Sequence, residues 1–263
     1  MLNCDDMKET LKQRLTSIAL CIMAMVSILS IVSAVKNAAV ITNSAQGRKL
    51  PIYCVKKEEP QISISFDAAW GNEDTAQILE ILKKHNVKAT FFMTGGWVKA
   101  YPDDVKAIYA AGHDLGNHSE NHKNMSQLSA EQCKEEIDLV HKRVQELTGY
   151  DMILFRPPYG DYNDTVVQTA ESMGYYAIQW DVDSLDWKDY GTDSIIKTVT
   201  GHKHLGNGSI ILCHNGAKYT AQALDMLLTT LKERGFTFVP ISELIYKDHF
   251  YMDVEGRQIP MKN

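Results

Sequence analysis

The chain has 263 residues, enough for one large domain with a sizeable core, and carries 27 Lys and Arg against 33 Asp and Glu, a formal charge of −6. That balance, with no Lys/Arg cluster to mark a patch, argues against a nucleic-acid partner, whose phosphates need a basic excess. Five cysteines (Cys4, Cys21, Cys54, Cys133 and Cys213), none in a CxxC pair, argue against a disulfide framework and against a Cys-based zinc or redox site.

In chain order, residues 15–35 read LTSIALCIMAMVSILSIVSAV without a charge. A helix needs about 20 such residues to cross a bilayer core. Lys8, Lys12 and Arg14 precede the segment, so the positive-inside rule predicts a cytoplasmic stretch at 1–14, one transmembrane helix at 15–35, and everything after it outside a bacterial cell membrane. Val32-Ser33-Ala34 offers a small-residue cleavage site, which makes a cleaved signal and a secreted protein the alternative. Residues 36–60 are polar and read as a linker, 61–247 as the folded domain and 248–263 as a tail.

Within the domain, short apolar runs at 62–66, 89–93, 153–155, 176–180, 209–212 and 236–239 read as strands, with another around 113–116. Amphipathic stretches separate them. Ile78, Leu79, Ile81 and Leu82 form one helical face, ended by His85-Asn86. Ser129 with Gln132 forms a capping box for a helix that runs to Thr148 and stops at Gly149. Leu224, Leu227, Leu228 and Leu231 face one side of a helix stopped by Gly235. Alternation of this kind predicts an α/β fold, with a parallel sheet and helical crossovers approaching a (β/α) barrel.

In such folds, reactive residues gather at the carboxyl ends of the strands. Here Asp67 follows the first strand, His118 and His122 the strand near 113–116, Arg156 the run at 153–155, Asp186 the run at 176–180, and His214 the run at 209–212. His118 and His122, four apart, converge on one cation if they share a helical turn. Imidazole suits zinc, cobalt, nickel or iron. Ser119 stands where a metalloprotease HExxH motif has its glutamate. The prolines of RPPYG at 156–160 fix Arg156 just past its strand, where its guanidinium suits Asp67, and the Tyr159 N–H is available to a developing oxyanion. A carboxylate beside His214 would fix its tautomer and raise its pKa, as a general acid requires.

Together the five motifs are SFD with WG at 65–71, NHSENH at 117–122, RPPYG, Asp186-Trp187 and Leu212-Cys213-His214. In this order they resemble the NodB-like polysaccharide deacetylases, carbohydrate esterase family four, over residues 61–245 or so. The resemblance implies a distorted (β/α) barrel and metal-assisted removal of acetyl groups from N-acetylated sugars, with a cell-wall polysaccharide such as peptidoglycan as substrate. It implies Asp67 as general base, Arg156 as the residue that orients it, and His118 and His122 as ligands of a divalent metal, zinc or a similar ion. It further implies the Tyr159 N–H as oxyanion donor, Asp186 as partner of His214, His214 as general acid, and Trp187 and Leu212 as walls for the acetyl methyl.

One position departs from the family pattern. A second Asp, a metal ligand, normally follows the base, and here that residue is Ala68. Asp67 then becomes a possible third ligand, or water fills the gap, or no metal binds and the domain is an inactive glycan binder. The FD-x-x-WG form also resembles a branch of the family linked to sporulation and peptidoglycan, in which that Asp is likewise replaced. Activity with a weakened metal site is the expectation.

Overall fold

The computed structural model describes residues 47–261. The expected cytoplasmic stretch at 1–14 and membrane helix at 15–35 lie outside the described residues; among those described, no helix is long and apolar enough to cross a membrane.

The elements follow in alternation: β1 (Cys54–Val55), β2 (Gln61–Ala68), α1 (Thr75–Lys84), β3 (Thr90–Met93), α2 (Gly95–Ala100), α3 (Pro102–Ala110), β4 (Asp114–Asn117), α4 (Ala130–Thr148), β5 (Leu154–Phe155), α5 (Asp164–Ser172), β6 (Tyr176–Ala177), β7 (Val182–Asp183), α6 (Thr192–Thr200), β8 (Ile210–Asn215), α7 (Thr220–Glu233), β9 (Thr237–Phe238), α8 (Ile241–Leu244), β10 (Phe250–Met252) and β11 (Arg257–Pro260). The main sheet is parallel, in the order β6-β5-β4-β3-β2-β8-β7, with β9 also paired to β2. Its edge strands β6 and β7 do not pair, so the barrel is open.

β2 lies inside the sheet, between β3 and β8. Its Ser/apolar alternation would suit one wet face, yet every residue from Ile62 to Ala68 is buried. The serines are satisfied within the sheet: Ser63 Oγ donates to Val239 O at 2.7 Å and Ser65 Oγ to Ile211 O at 2.9 Å. Hydroxyls with such partners can be buried on both faces of a strand without leaving a polar group unpaired.

The helices form where their signals stand. Ser129 and Gln132 make a reciprocal capping box at the start of α4, and Gly149 ends it in the left-handed conformation at φ 72°. The Leu224, Leu227, Leu228 and Leu231 face of α7 is buried. The ends of the chain depart from expectation. The linker at 36–60 contains β1 and the tail at 248–263 contains β10 and β11, and these three strands form a second sheet in the order β1-β11-β10. Their short runs carry too little periodicity to stand out from polar surroundings.

Candidate active site

Five strand ends or the loops beyond them, those of β2, β4, β5, β7 and β8, deliver the named residues to one side of the sheet; Asp186 follows β7, a strand the sequence did not predict, and not the run at 176–180. Asp67 on β2 and His214 on β8 are in-register partners on adjacent parallel strands, as are Ala68 and Asn215. A cleft of about 580 Å³ is lined there by Asp67, His118, His122, Tyr159, Leu212 and His214, and by Ala69, Trp70, Trp180, Asp183 and Trp187. Ala68 is not part of that lining; it is fully buried in the main hydrophobic core.

Arg156 is fully buried and faces Asp67 as the sequence suggests: its Nη1 donates to Asp67 Oδ1 at 2.6 Å. Its Nη2 donates to Gln179 O at 3.2 Å, and its guanidinium lies 4.0 Å from the centre of the Phe92 ring. Burial pushes the Asp67 carboxyl upward, but the Arg156 guanidinium, with the nearby imidazoles in second place, outweighs it and holds the group below the usual carboxylate range.

The loop carrying the histidine pair is not helical. Ser119 and His122 both adopt left-handed backbone, at φ 64° and 52°, and this bend, not a helical turn, brings the rings to a centroid distance of 4.9 Å. Several contacts hold it. Ser119 N donates to Asn117 Oδ1 at 3.0 Å and His122 N to Ser119 Oγ at 3.1 Å. Glu136, buried on α4, accepts from Asn121 N and Nδ2, each at 2.8 Å, and pairs with Lys123 at 2.9 Å. Glu120 pairs with Arg143, whose Nη1 also donates to Gly95 O.

His118 Nδ1 donates to Arg156 O at 2.7 Å, a carbonyl that can only accept, so the neutral ring carries its lone pair on Nε2. Burial pushes this histidine down to about 4, partly opposed by Asp67. Nε2 stands 3.5 Å from Asp67 Oδ2. Two acceptors so close favour a positive charge between them, and neutral imidazoles at 118 and 122 fit a divalent cation. Among the described residues, however, no group of three or more His, Cys, Asp or Glu is placed to hold a metal. The donor set fits a cation, but as an incomplete shell by the standard of catalytic zinc sites.

His214 is held from behind. Its Nδ1 donates to Asp186 Oδ1 at 2.7 Å, while Asp186 Oδ2 accepts from His214 N at 2.7 Å and Thr220 Oγ1 at 2.6 Å. Burial lowers the His214 pKa, but the hydrogen bond and charge of Asp186 outweigh it and leave it raised. Trp70 stacks on the imidazole at 5.0 Å. Gly216 turns the chain at φ 86°, where a Cβ would meet Gly71 and Trp70 at 3.1–3.2 Å. Asp74, the residue just before α1, accepts from Gly216 N at 2.8 Å and Asn215 Nδ2 at 3.1 Å, fixing the segment beyond His214.

Tyr159 has left-handed backbone at φ 61°, and its ring packs edge-on to His122 at 4.5 Å. Trp187 and Leu212 both reach the cleft. Asn117 stands in the NHSENH motif but had no role assigned to it; Glu136, Gln179, Asp183 and Thr220 carried no motif signal, and of these only Asp183 had any mark in the sequence, as one of three acids between 181 and 186.

The buried histidines set a pH dependence. Burial holds His113 at about 4 as well. An unfolded histidine takes its proton near 6.5, so between pH 6.5 and 4 the unfolded state binds more protons and stability falls with pH. Urea unfolding at pH 5 is expected to show a loss relative to pH 7 of about 2 kcal/mol per histidine, offset in part by His214 and by buried carboxyls such as Asp181, raised to about 6, whose shifts have the opposite sign. A His113→Asn variant that loses as much stability as the wild type between pH 7 and 5 would contradict neutral burial of that ring.

Comparison with known proteins shows the family. The family model for polysaccharide deacetylase matches residues 55–178. An uncharacterized 30.6 kDa protein from Geobacillus stearothermophilus is 38% identical over 206 residues, covering 75% of this chain and 76% of the relative. The peptidoglycan-N-acetylmuramic acid deacetylase PdaA of Bacillus subtilis is 35% identical over 203 residues, covering 74% and 75%. Among solved structures, a CE4 family pseudoenzyme from Bacillus anthracis superposes with a TM-score of 0.71 at 34% identity, covering 81% of this chain and 73% of that one. With five motifs in order, their residues gathered on one cleft, and relatives this similar over three quarters of their length, the chain belongs to the polysaccharide deacetylase family.

Proposed function

We propose that this protein hydrolyses the acetamido group of N-acetylated sugars in a cell-wall polysaccharide, peptidoglycan being the substrate class its relatives suggest. The observation that carries this reading is the pairing of Asp67, a carboxylate held ionised, with His214, an imidazole held toward its protonated form, on adjacent strands facing one cleft. Amide hydrolysis needs a proton taken from water and a proton given to the leaving nitrogen.

Asp67, oriented by Arg156, accepts the proton of the attacking water. The Tyr159 N–H meets the developing oxyanion, Trp187 and Leu212 flank the acetyl methyl, and His214, backed by Asp186, protonates the amine. A carboxylate held this low is a weak base toward free water; a divalent cation on His118 and His122, zinc or a similar ion, would supply the acidification of water and polarisation of the carbonyl that the step needs. Residues 15–35 support a single-pass anchor in a bacterial cell membrane with this domain outside it, next to such a glycan.

The test is acetate release by the purified full chain from acetylated chitooligosaccharide and peptidoglycan, alongside elemental analysis of bound metal. Turnover that drops at least 100-fold in His118→Ala is the expected result; no acetate from any glycan refutes the reading. A second reading, an inactive glycan binder, is favoured by Ala68, the incomplete donor set and the similarity to a pseudoenzyme. In that case glycan binding persists without acetate, and His118→Ala leaves the affinity unchanged.

A further inference from the structure

One turn carries exposed aromatic rings outward from the cleft. Leu185 and Asp189, neither of them glycine, adopt left-handed backbone at φ 55° and 54° on either side of Asp186–Lys188. Strain of this kind persists where surroundings over-determine it, and it concentrates at functional sites. Here Asp183 Oδ1 accepts from Leu185 N at 2.8 Å and Ser184 Oγ from Asp186 N at 3.3 Å. The effect is to split the turn: Asp186 is fully buried behind His214, while Trp187 and Tyr190 remain 47% and 69% exposed. Lys188 Nζ lies 4.9 Å from the centre of the Trp187 ring and 6.0 Å from that of Tyr190, a shared position over both faces. Trp187 lines the cleft, and Tyr190, three residues further along the chain, is linked to it through the Lys188 ammonium that both rings face.

We propose that Tyr190 and Lys188 form a second subsite, which takes a pyranose neighbouring the one that reacts, and that this sugar bears a carboxylate. The inference rests on the glycan function proposed above. A tyrosine ring offers a broad amphipathic face with little torsional freedom to lose, suited to the C–H face of a pyranose. The Lys188 ammonium beside it offers a charged donor to a carboxylate substituent. Asp189, next to it in sequence, disfavours an anion placed elsewhere on the turn, so the carboxylate is expected on the Lys188 side.

The test is calorimetric titration of the purified full chain with methyl N-acetylglucosaminide, chitotetraose, and an acidic tetrasaccharide of alternating N-acetylglucosamine and N-acetylmuramic acid. Tyr190→Ala is expected to weaken both tetrasaccharides roughly three- to tenfold and leave the monosaccharide unchanged, while Tyr190→Phe, which keeps the ring, binds as the wild type. Lys188→Gln is expected to weaken only the acidic tetrasaccharide, by about threefold. Tetrasaccharide affinities unchanged in Tyr190→Ala refute the subsite and leave the glycan function standing; equal effects of Lys188→Gln on both tetrasaccharides refute the carboxylate. If the wild type binds none of the three, both readings fall.

Discussion

His214→Gln is expected to lower kcat on an N-acetylated glycan by about 10²- to 10⁴-fold, the usual contribution of a general acid, with KM little changed. The leaving group is an amine, which departs only if protonated, and the imidazole is the group facing the cleft that is held toward its charged form. The variant keeps the backbone bond from residue 214 to Asp186 Oδ2, so the strand end stays in place. An activated aryl acetate separates this role from a structural one, because a phenolate leaves without a proton. The same variant should hydrolyse it at close to the wild-type rate. Equal losses on both substrates would refute the acid role. Asp186→Asn should behave similarly toward the glycan, because it replaces the acceptor that fixes Nδ1–H and frees the ring to take the wrong tautomer.

Arg156→Met should have the largest effect on stability, a loss of about 3–5 kcal/mol in urea unfolding. Arg156 is fully buried, and its departure strands the Asp67 carboxylate, itself 5% exposed, without the charge that offsets its burial. Removing both charges tests the cause. Asp67→Asn combined with Arg156→Met should recover much of the loss, since a neutral pair demands far less solvation than a lone ion. A double variant as unstable as Arg156→Met alone would assign the loss to packing against Phe92 instead. Either variant is expected to abolish turnover.

The catalytic candidates were legible because each is a reactive side chain set just after an apolar run, and the order of the runs implies a parallel sheet. Helix limits were legible for a local reason: the Ser129/Gln132 box and Gly149 satisfy the ends of α4 through contacts a few residues apart. Other features depend on partners far away in the chain. Glu136 resembles any acid on the exposed side of a helix until the loop at 118–123 folds onto it. The conformation of His122 was missed for a related reason, because spacing by four suggests a helical turn whereas Asn117, Ser119 and Glu136 impose a different bend. Strand β11 pairs locally with β10 but also with β1, about 200 residues away, and no local pattern announces that second pairing.

The register of β2 on β8 has a consequence for how this site would fail. Asp67 and His214 are ladder partners, so the gap between proton acceptor and proton donor is set by the strand spacing, about 4.8 Å between backbones, and not by flexible side chains. Both strands lie inside the sheet, with a neighbour on each side and buried side chains, as do the segments that open only when the whole domain unfolds. Heating would therefore leave the two groups at their working separation up to the melting transition, and disarrangement of the pair and loss of the fold would be a single event.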